Sequence, residues 1–232
     1  MTPRFCCLAR NDSEISAGAP TFVSYWPGMP VARVREIAAA VILRAESEEK
    51  ATALLATGIT KVFLGEAALR DAGAVPRLLD RFGPSRLGLH LAVRRQAVGW
   101  AFDTESNEDF SVVTPSLCDP AWEVLKSDRQ PSGVRADTVV DLMLQRGVES
   151  FLVQVDIGDD ADLNLCAGMV ERLGDKLWMA PLDQPRAPIA DWIRYGRAMQ
   201  LALPVSLYRK RHELLPPRPP DRFVAVDLAQ SM

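Results

Sequence analysis

Apolar positions along this chain switch repeatedly between strand-like runs and helical spacing. KVFLG (61–65) is a short apolar run closed by glycine. VPRLLDRFG (75–83) carries its apolar residues at helical spacing and also ends in glycine. RLGLHLAV (86–93) returns to a β run. Two strands joined in one direction through a helix make a βαβ unit and imply a parallel sheet. The same alternation predicts strands over 3–9, 21–26, 40–45, 149–157, 176–181 and 202–210. It predicts helices over 30–40, from Ser47 to the glycine that closes SEEKATALLATG, and over 136–148, 164–174 and 189–201.

The pattern weakens after Trp100. Residues 102–120 read as a long, acidic, irregular loop with a little strand, PAWEVLKSD (120–128) as a turn of helix, and RQPSG as another loop. Long insertions of this kind often lie over an active site. LLPPRPPD reads as an extended proline-rich linker, and FVAVDL (223–228) as one more strand. No composition break interrupts the alternation, so one domain is expected over 1–232, with an irregular N-terminus (1–20) and a proline-rich tail (213–232). Seven internal strands with one at either end suit an α/β fold of the (β/α)8 TIM-barrel type with an irregular first β/α unit. A doubly wound open sheet is the alternative. It would place a phosphate loop after its first strand, and the chain contains no GxGxxG.

Composition narrows the classes. The 232 residues are 48% hydrophobic and 25% charged, enough to bury a full core without disulfides or metals. A net charge of −3 argues against general nucleic-acid binding. No apolar run approaches the ~20 residues of a membrane span. MTPRFCCLARNDSE makes a poor signal peptide, so a cytoplasmic protein is expected. Cys6, Cys7, Cys118 and Cys166 show no zinc spacing and are expected to be buried thiols. No cofactor and no metal is expected.

At GITKVFLGEAALRD (58–71) and RLGLHLAVRRQAVGW (86–100) the chain resembles the histidine-biosynthesis barrels, in particular the ProFAR isomerase family. A second match is GVESFLVQVDIGDDADLNLCAGMVERLG (147–174). The resemblance implies a barrel of the ribulose-phosphate-binding type. It also implies an aminoaldose-to-aminoketose isomerisation of a bisphosphorylated substrate by two aspartates, on the first and fifth strands.

The departures from that pattern bear on function. Where the family ends its third strand in phosphate-approaching glycines, this chain has Arg44-Ala45-Glu46. The threonine after the fourth strand is Glu66, a carboxylate that would repel phosphate. The Ser-Gly-Gly cradle after the seventh strand is replaced by Ala180-Pro181-Leu182-Asp183, and a Gly-Arg pair after the eighth by Tyr208-Arg209. Proline donates no N–H, and a leucine side chain blocks close approach. The fifth-strand aspartate is His90, which can do acid–base work near pH 7. The threonine after the sixth strand is Val155, and Asp156 matches the neighbouring family aspartate. For the first-strand acid there are two openings. PRFCCLARN offers only Arg10 and Asn11, with Asp12 beyond. FVAVDL would bring Asp227 if the C-terminal strand filled the first slot of the barrel.

Residues at strand C-termini face the mouth of a barrel, which places Trp26, Arg44, Glu66, His90, Asp156, Asp183 and Arg209 there. His90, Asp156 and Asp227 are the catalytic candidates; Arg44, Glu66, Asp183 and Arg209 are the substrate-binding ones. Each has a structural alternative: a core histidine, an Arg44–Glu66 ion pair, a loop cap for Asp156, a solvated cluster at 208–212. GDDADLN (158–164) lacks calcium-loop spacing, and Trp178 and Trp192 are expected in the core. Two functions stay open. One is an isomerase- or lyase-type acid–base enzyme acting on a small substrate with at most one phosphate. The other is a non-catalytic barrel serving a protein partner or a homo-oligomer. The resemblance also points to relatives found beside methanopterin-linked one-carbon genes.

Overall fold

The structure is a computed structural model. It describes residues 2–15, 18–71, 73–96 and 120–215, and the strand backbone of 102–107 and 110–115. Eight parallel strands close into a barrel. In chain order these are β1 (Arg4–Ala9), β2 (Thr21–Ser24), β3 (Ala38–Leu43), β4 (Val62–Leu64), β5 (Leu87–Arg95), β10 (Phe151–Val155), β11 (Leu177–Pro181) and β12 (Gln200–Pro204). β5 closes the ring by pairing with β10, Leu152 opposite His90. β1 lies between β12 and β2. The first slot is therefore filled by the N-terminal strand, which overturns the arrangement that would seat 223–228 there. Asp227 lies outside the described residues.

Helices α1 (Val31–Ile37), α2 (Glu48–Ala56), α3 (Ala67–Arg70), α4 (Ala74–Phe82), α5 (Ala136–Gln145), α6 (Asp160–Leu173), α7 (Ile189–Arg194) and α8 (Val205–Arg209) connect or follow the strands. Among the described residues between β1 and β2 the one helical element is a short 3-10 turn, Asp12–Glu14, so the first β/α unit is irregular as expected. Among the described residues no helix is long and apolar enough to cross a membrane.

Three elements differ from the sequence expectation. PAWEVLKSD is not helical: Trp122–Leu125 forms β8, antiparallel to the far half of β5, and β9 (Pro131–Arg135) pairs with β8. The cause is the length of β5, which runs beyond the barrel rim to Arg95 and offers an edge that four residues suffice to pair. Residues 102–120 carry more strand than the little expected: β6 (Phe102–Asn107) and β7 (Phe110–Pro115) form a separate antiparallel pair. The eighth barrel strand stops at Pro204 and continues as α8. Tyr208 and Arg209 thus lie on a helix rather than a strand end. VSLYR is rich in β-formers, but a proline with fixed backbone geometry at the helix N-cap turns the chain.

Two apolar layers result. The outer one packs helices on the sheet and includes fully buried Trp192. The inner one fills the barrel with Cys6, Leu8, Phe22, Ala40, Ile42, Phe63, Leu152, Ala180 and Ala202, with partly buried Trp178 against it. Phe22 meets Phe63 at 5.2 Å and the edge of Trp178 at 5.0 Å between ring centroids. Three alanines and Gly88 make room for these three rings. Cys6 faces this interior while Cys7 faces outward, as period-2 geometry requires. Cys6, Cys7 and Cys166 are buried free thiols; Cys118 lies outside the described residues.

A Cβ at Gly88 would stand 2.5 Å from Phe63 Cδ1 and 2.9 Å from the Ser150 carbonyl oxygen. Phe22 prevents the Phe63 ring from retreating. Gly88→Ala is expected to cost about 1–3 kcal/mol in urea unfolding, and Phe63→Leu in the same chain should recover part of that loss in a double-mutant cycle. Additive losses would mean the ring is not the obstacle.

Candidate functional site

The inward register of the strands continues above the apolar layers with polar residues. β1 leads to Arg10, β2 ends in Ser24, β3 leads to Arg44, β5 carries His90 and β10 carries Gln154. These side chains share the C-terminal mouth because strand residues two apart point to one face. Gln154 organises them. Its Nε2 donates to the Pro181 carbonyl at 3.2 Å. That orients the amide, so Oε1 accepts from Arg44 Nη2 at 3.1 Å and from His90 Nε2 at 2.8 Å. His90 is therefore the Nε2–H tautomer, leaving Nδ1 as its lone-pair nitrogen.

His90 is buried, 5% exposed. Burial, then the positive charge of Arg44, outweigh the bond to Gln154, and with a further push from Arg129 its pKa falls to about 4. The imidazole is neutral at pH 7. Arg44 is itself destabilised in its charged form by burial and by the cations Arg129 and Arg10, only partly offset by the more distant carboxylates of Asp183 and Glu46. Among the described residues it forms no ion pair, and its Nε is buried without a hydrogen-bond partner. Ser24 Oγ, on the neighbouring strand, is likewise buried and unpartnered. A buried guanidinium without a counter-ion is costly. A second unpartnered donor, the Ser24 hydroxyl, stands on the neighbouring strand.

The carboxylates are engaged elsewhere. Glu66 does not pair with Arg44. It accepts from Arg70 Nη2 at 2.6 Å and from the Ser127 N–H at 3.0 Å; these bonds hold its carboxyl low against the opposing effect of burial. Asp183 holds Arg129 in a bidentate pair at 2.6 and 2.9 Å. Asp156 Oδ1 accepts from the backbone N–H groups of Leu182, Asp183 and Gln184, each at 3.0 Å. Its carboxylate occupies the N–H cradle after the seventh strand. Arg209 is exposed on α8, and Trp26 packs partly buried against the outer core. In the acidic run, Asp159 caps α6 and pairs with Arg95, and Asp162 accepts from Trp122 Nε1 at 3.2 Å. Among the described residues no His, Cys, Asp and Glu cluster could hold a metal.

The structure thus brings Arg44 and His90 together, joined by Gln154, and holds Asp156, Asp183 and Glu66 in bonds of their own. Sequence reasoning missed Gln154, Ser24, Arg10 and Arg129. Gln154 was legible as the one polar residue inside FLVQV; Arg129, in a loop, gave no local signal. The pocket beside His90 is lined by Arg44, Glu66, Leu69, Ser127 and Arg129 and has about 20 Å³ for a water's centre, room for one water molecule.

Fold and site together define a (β/α)8 barrel whose polar mouth holds a one-water pocket beside His90 and a separate hollow of about 120 Å³ along Arg10, Pro181, Asp183 and Pro204. No family model matches the chain, and no curated protein matches it in sequence. Among solved structures it is similar to phosphoribosyl anthranilate isomerase from Thermococcus kodakaraensis. The identity is 13%, over 92% of this chain and 98% of that chain, with a TM-score of 0.55. At that identity the likeness shows the fold, a TIM barrel.

Two stability predictions follow from the site. The unfolded chain binds the His90 proton near pH 6.5 and the folded one only near 4. The stabilisation is complete above 6.5 and is lost as pH falls toward 4. Between pH 6.5 and 5, above most carboxylate titration, wild type should lose about 2 kcal/mol more than His90→Gln; parallel stability–pH curves from chemical denaturation would contradict it. Arg44→Met removes a partly buried cation with no carboxylate in contact and is expected to raise stability by about 1 kcal/mol. A lower melting temperature would instead make Arg44 a structural bond.

Proposed function

We propose that the barrel binds a small anionic molecule at its mouth, with Arg44 holding a single phosphate or carboxylate group and His90 moving a proton on the bound molecule. The observation that carries this is the partly buried Arg44 guanidinium, which has no carboxylate in ion-pair contact among the described residues and whose buried Nε lacks a partner, as does the Ser24 hydroxyl on the neighbouring strand. Buried charges are ordinarily paired; a counter-ion supplied by a ligand completes this one. A neutral imidazole in the Nε2–H form offers a lone pair at Nδ1 for proton abstraction.

The reading makes the protein a divergent relative of the ProFAR isomerases with isomerase- or lyase-type acid–base chemistry, in a setting such as one-carbon metabolism. The histidine-pathway reaction is set aside. Its substrate carries two phosphates, whereas the cradle after the seventh strand already holds the Asp156 carboxylate and Arg209 is exposed on a helix. Asp156 is assigned to shaping that loop, and Glu66 and Asp183 to holding the mouth.

One observation favours a second reading, a non-catalytic barrel acting as a subunit or regulator: the pocket over His90 admits only one water. Thermal unfolding against inorganic phosphate, sugar phosphates, small carboxylates, pterins and furans separates the two. A ligand at 100 times its Kd adds about 2.7 kcal/mol, roughly 5–10 °C for a domain of this size. The expected result is a shift in wild type that Arg44→Gln abolishes. No shift with any member of the panel would favour the subunit reading, and rescue of an isomerase-deficient histidine auxotroph would restore the histidine-pathway activity set aside here.

A further inference from the structure

The pocket is small because the tip of the β8–β9 hairpin crosses it. Residues 126–130 form a tight turn: the Arg129 N–H donates to the Lys126 carbonyl at 3.0 Å, and the Lys126 N–H to that of Gln130 at 2.8 Å. Arg129 itself has φ 68°, a left-handed conformation unusual for a side chain of its size. The turn is tied to the barrel on opposite sides. The Ser127 N–H binds Glu66, just past β4, and the Arg129 guanidinium binds Asp183, just past β11. Ser127 and Arg129 line the same pocket as Arg44 and His90.

We propose that this turn is a latched cover and that Asp183 is the resting partner of Arg129: an anion entering the mouth displaces Asp183, and Arg129 and Arg44 then hold it from two sides. The inference rests on the anion site argued above and adds a second ligand-holding residue, with a competitor for it inside the protein. Three observations support it. First, the two nitrogens of Arg129 meet both oxygens of Asp183, the fork geometry that fits a carboxylate or phosphate equally well. Second, the pair is solvent-exposed, with side chains 37% and 61% accessible, so exchanging one oxyanion for another costs little. Third, Arg129 is close enough to add to the positive field at both Arg44 and His90, a field that an incoming anion would relieve. Asp183 thereby changes role, from a group expected to bind substrate to one that competes with it.

The test measures binding of inorganic phosphate by calorimetry, with limited trypsin cleavage after Lys126 and Arg129 as a second readout. Asp183→Asn frees Arg129 and is expected to bind phosphate about five-fold more tightly than wild type, the worth of an exposed ion pair. Without phosphate it should be cut faster in the turn than wild type, and phosphate should restore protection. Arg129→Met should bind more weakly than wild type, alone and combined with Asp183→Asn. Binding to Asp183→Asn that equals or falls below wild type overturns the latch; if Arg44→Gln still abolishes binding, the anion site stands without it. Phosphate binding to Asp183→Asn but not to wild type supports both. Failure of both proteins to bind, with unchanged melting temperatures, overturns both.

Discussion

Closure of the sheet is the constraint on which the rest of this molecule depends. Once β5 pairs with β10, every strand has two neighbours and alternate side chains of all eight must share one interior. That interior can hold three aromatic rings only because small residues stand opposite them, Ala40, Ala180, Ala202 and Gly88 among them. The same alternation carries Ser24, Arg44, His90 and Gln154 to one end. The polar mouth is thus the continuation of the apolar core by one more layer. β5 serves both: its first half closes the barrel, and its overhang beyond the rim recruits the β8–β9 hairpin that covers the mouth.

Charge is distributed unequally across this mouth. Toward the axis stand a guanidinium without a counter-ion and a neutral imidazole, bridged by one amide oxygen. Toward the rim stand three carboxylates, each already satisfied: Glu66 by Arg70 and the hairpin, Asp183 by Arg129, Asp156 by three backbone N–H groups. A built-in carboxylate in the N–H cradle removes one place where a phosphate could sit. The proposed preference for a small single anion rests on this contrast between an occupied cradle and an arginine with no carboxylate in contact.

The fold was legible where local pattern and global structure agree. Seven of the eight barrel strands, and six of the eight described α-helices, coincide with runs whose period shows in the residues themselves; α3 fell in a stretch read as loop and α8 in one read as strand. β8 was not legible, because WEVL is too short to display a period and became a strand only by meeting the overhang of β5. Nor was the end of the eighth strand: VSLYR has strand-forming residues, yet past Pro204 it turns into helix. At the site, His90 and Arg44 were found from their positions at strand ends, and Gln154 could have been found as a polar residue in an apolar run. Arg129 could not. It belongs to the site only because the hairpin folds back over a barrel whose other side is 54 residues further along the chain.

The sequence by itself determined the layer architecture: which residues alternate, which strands are parallel, and that Arg44 and His90 arrive at the mouth. Those follow from periods of two and 3.6 residues, which are local. Only the tertiary structure decided the partners. Arg44 had a carboxylate, Glu66, within reach by sequence logic, but bonds to Gln154; Asp156 became a loop anchor; Asp183 faced Arg129. Strand order and closure set distances between residues far apart in the chain, and hydrogen bonds depend on those distances to a few tenths of an ångström. No pattern read along one chain carries that information.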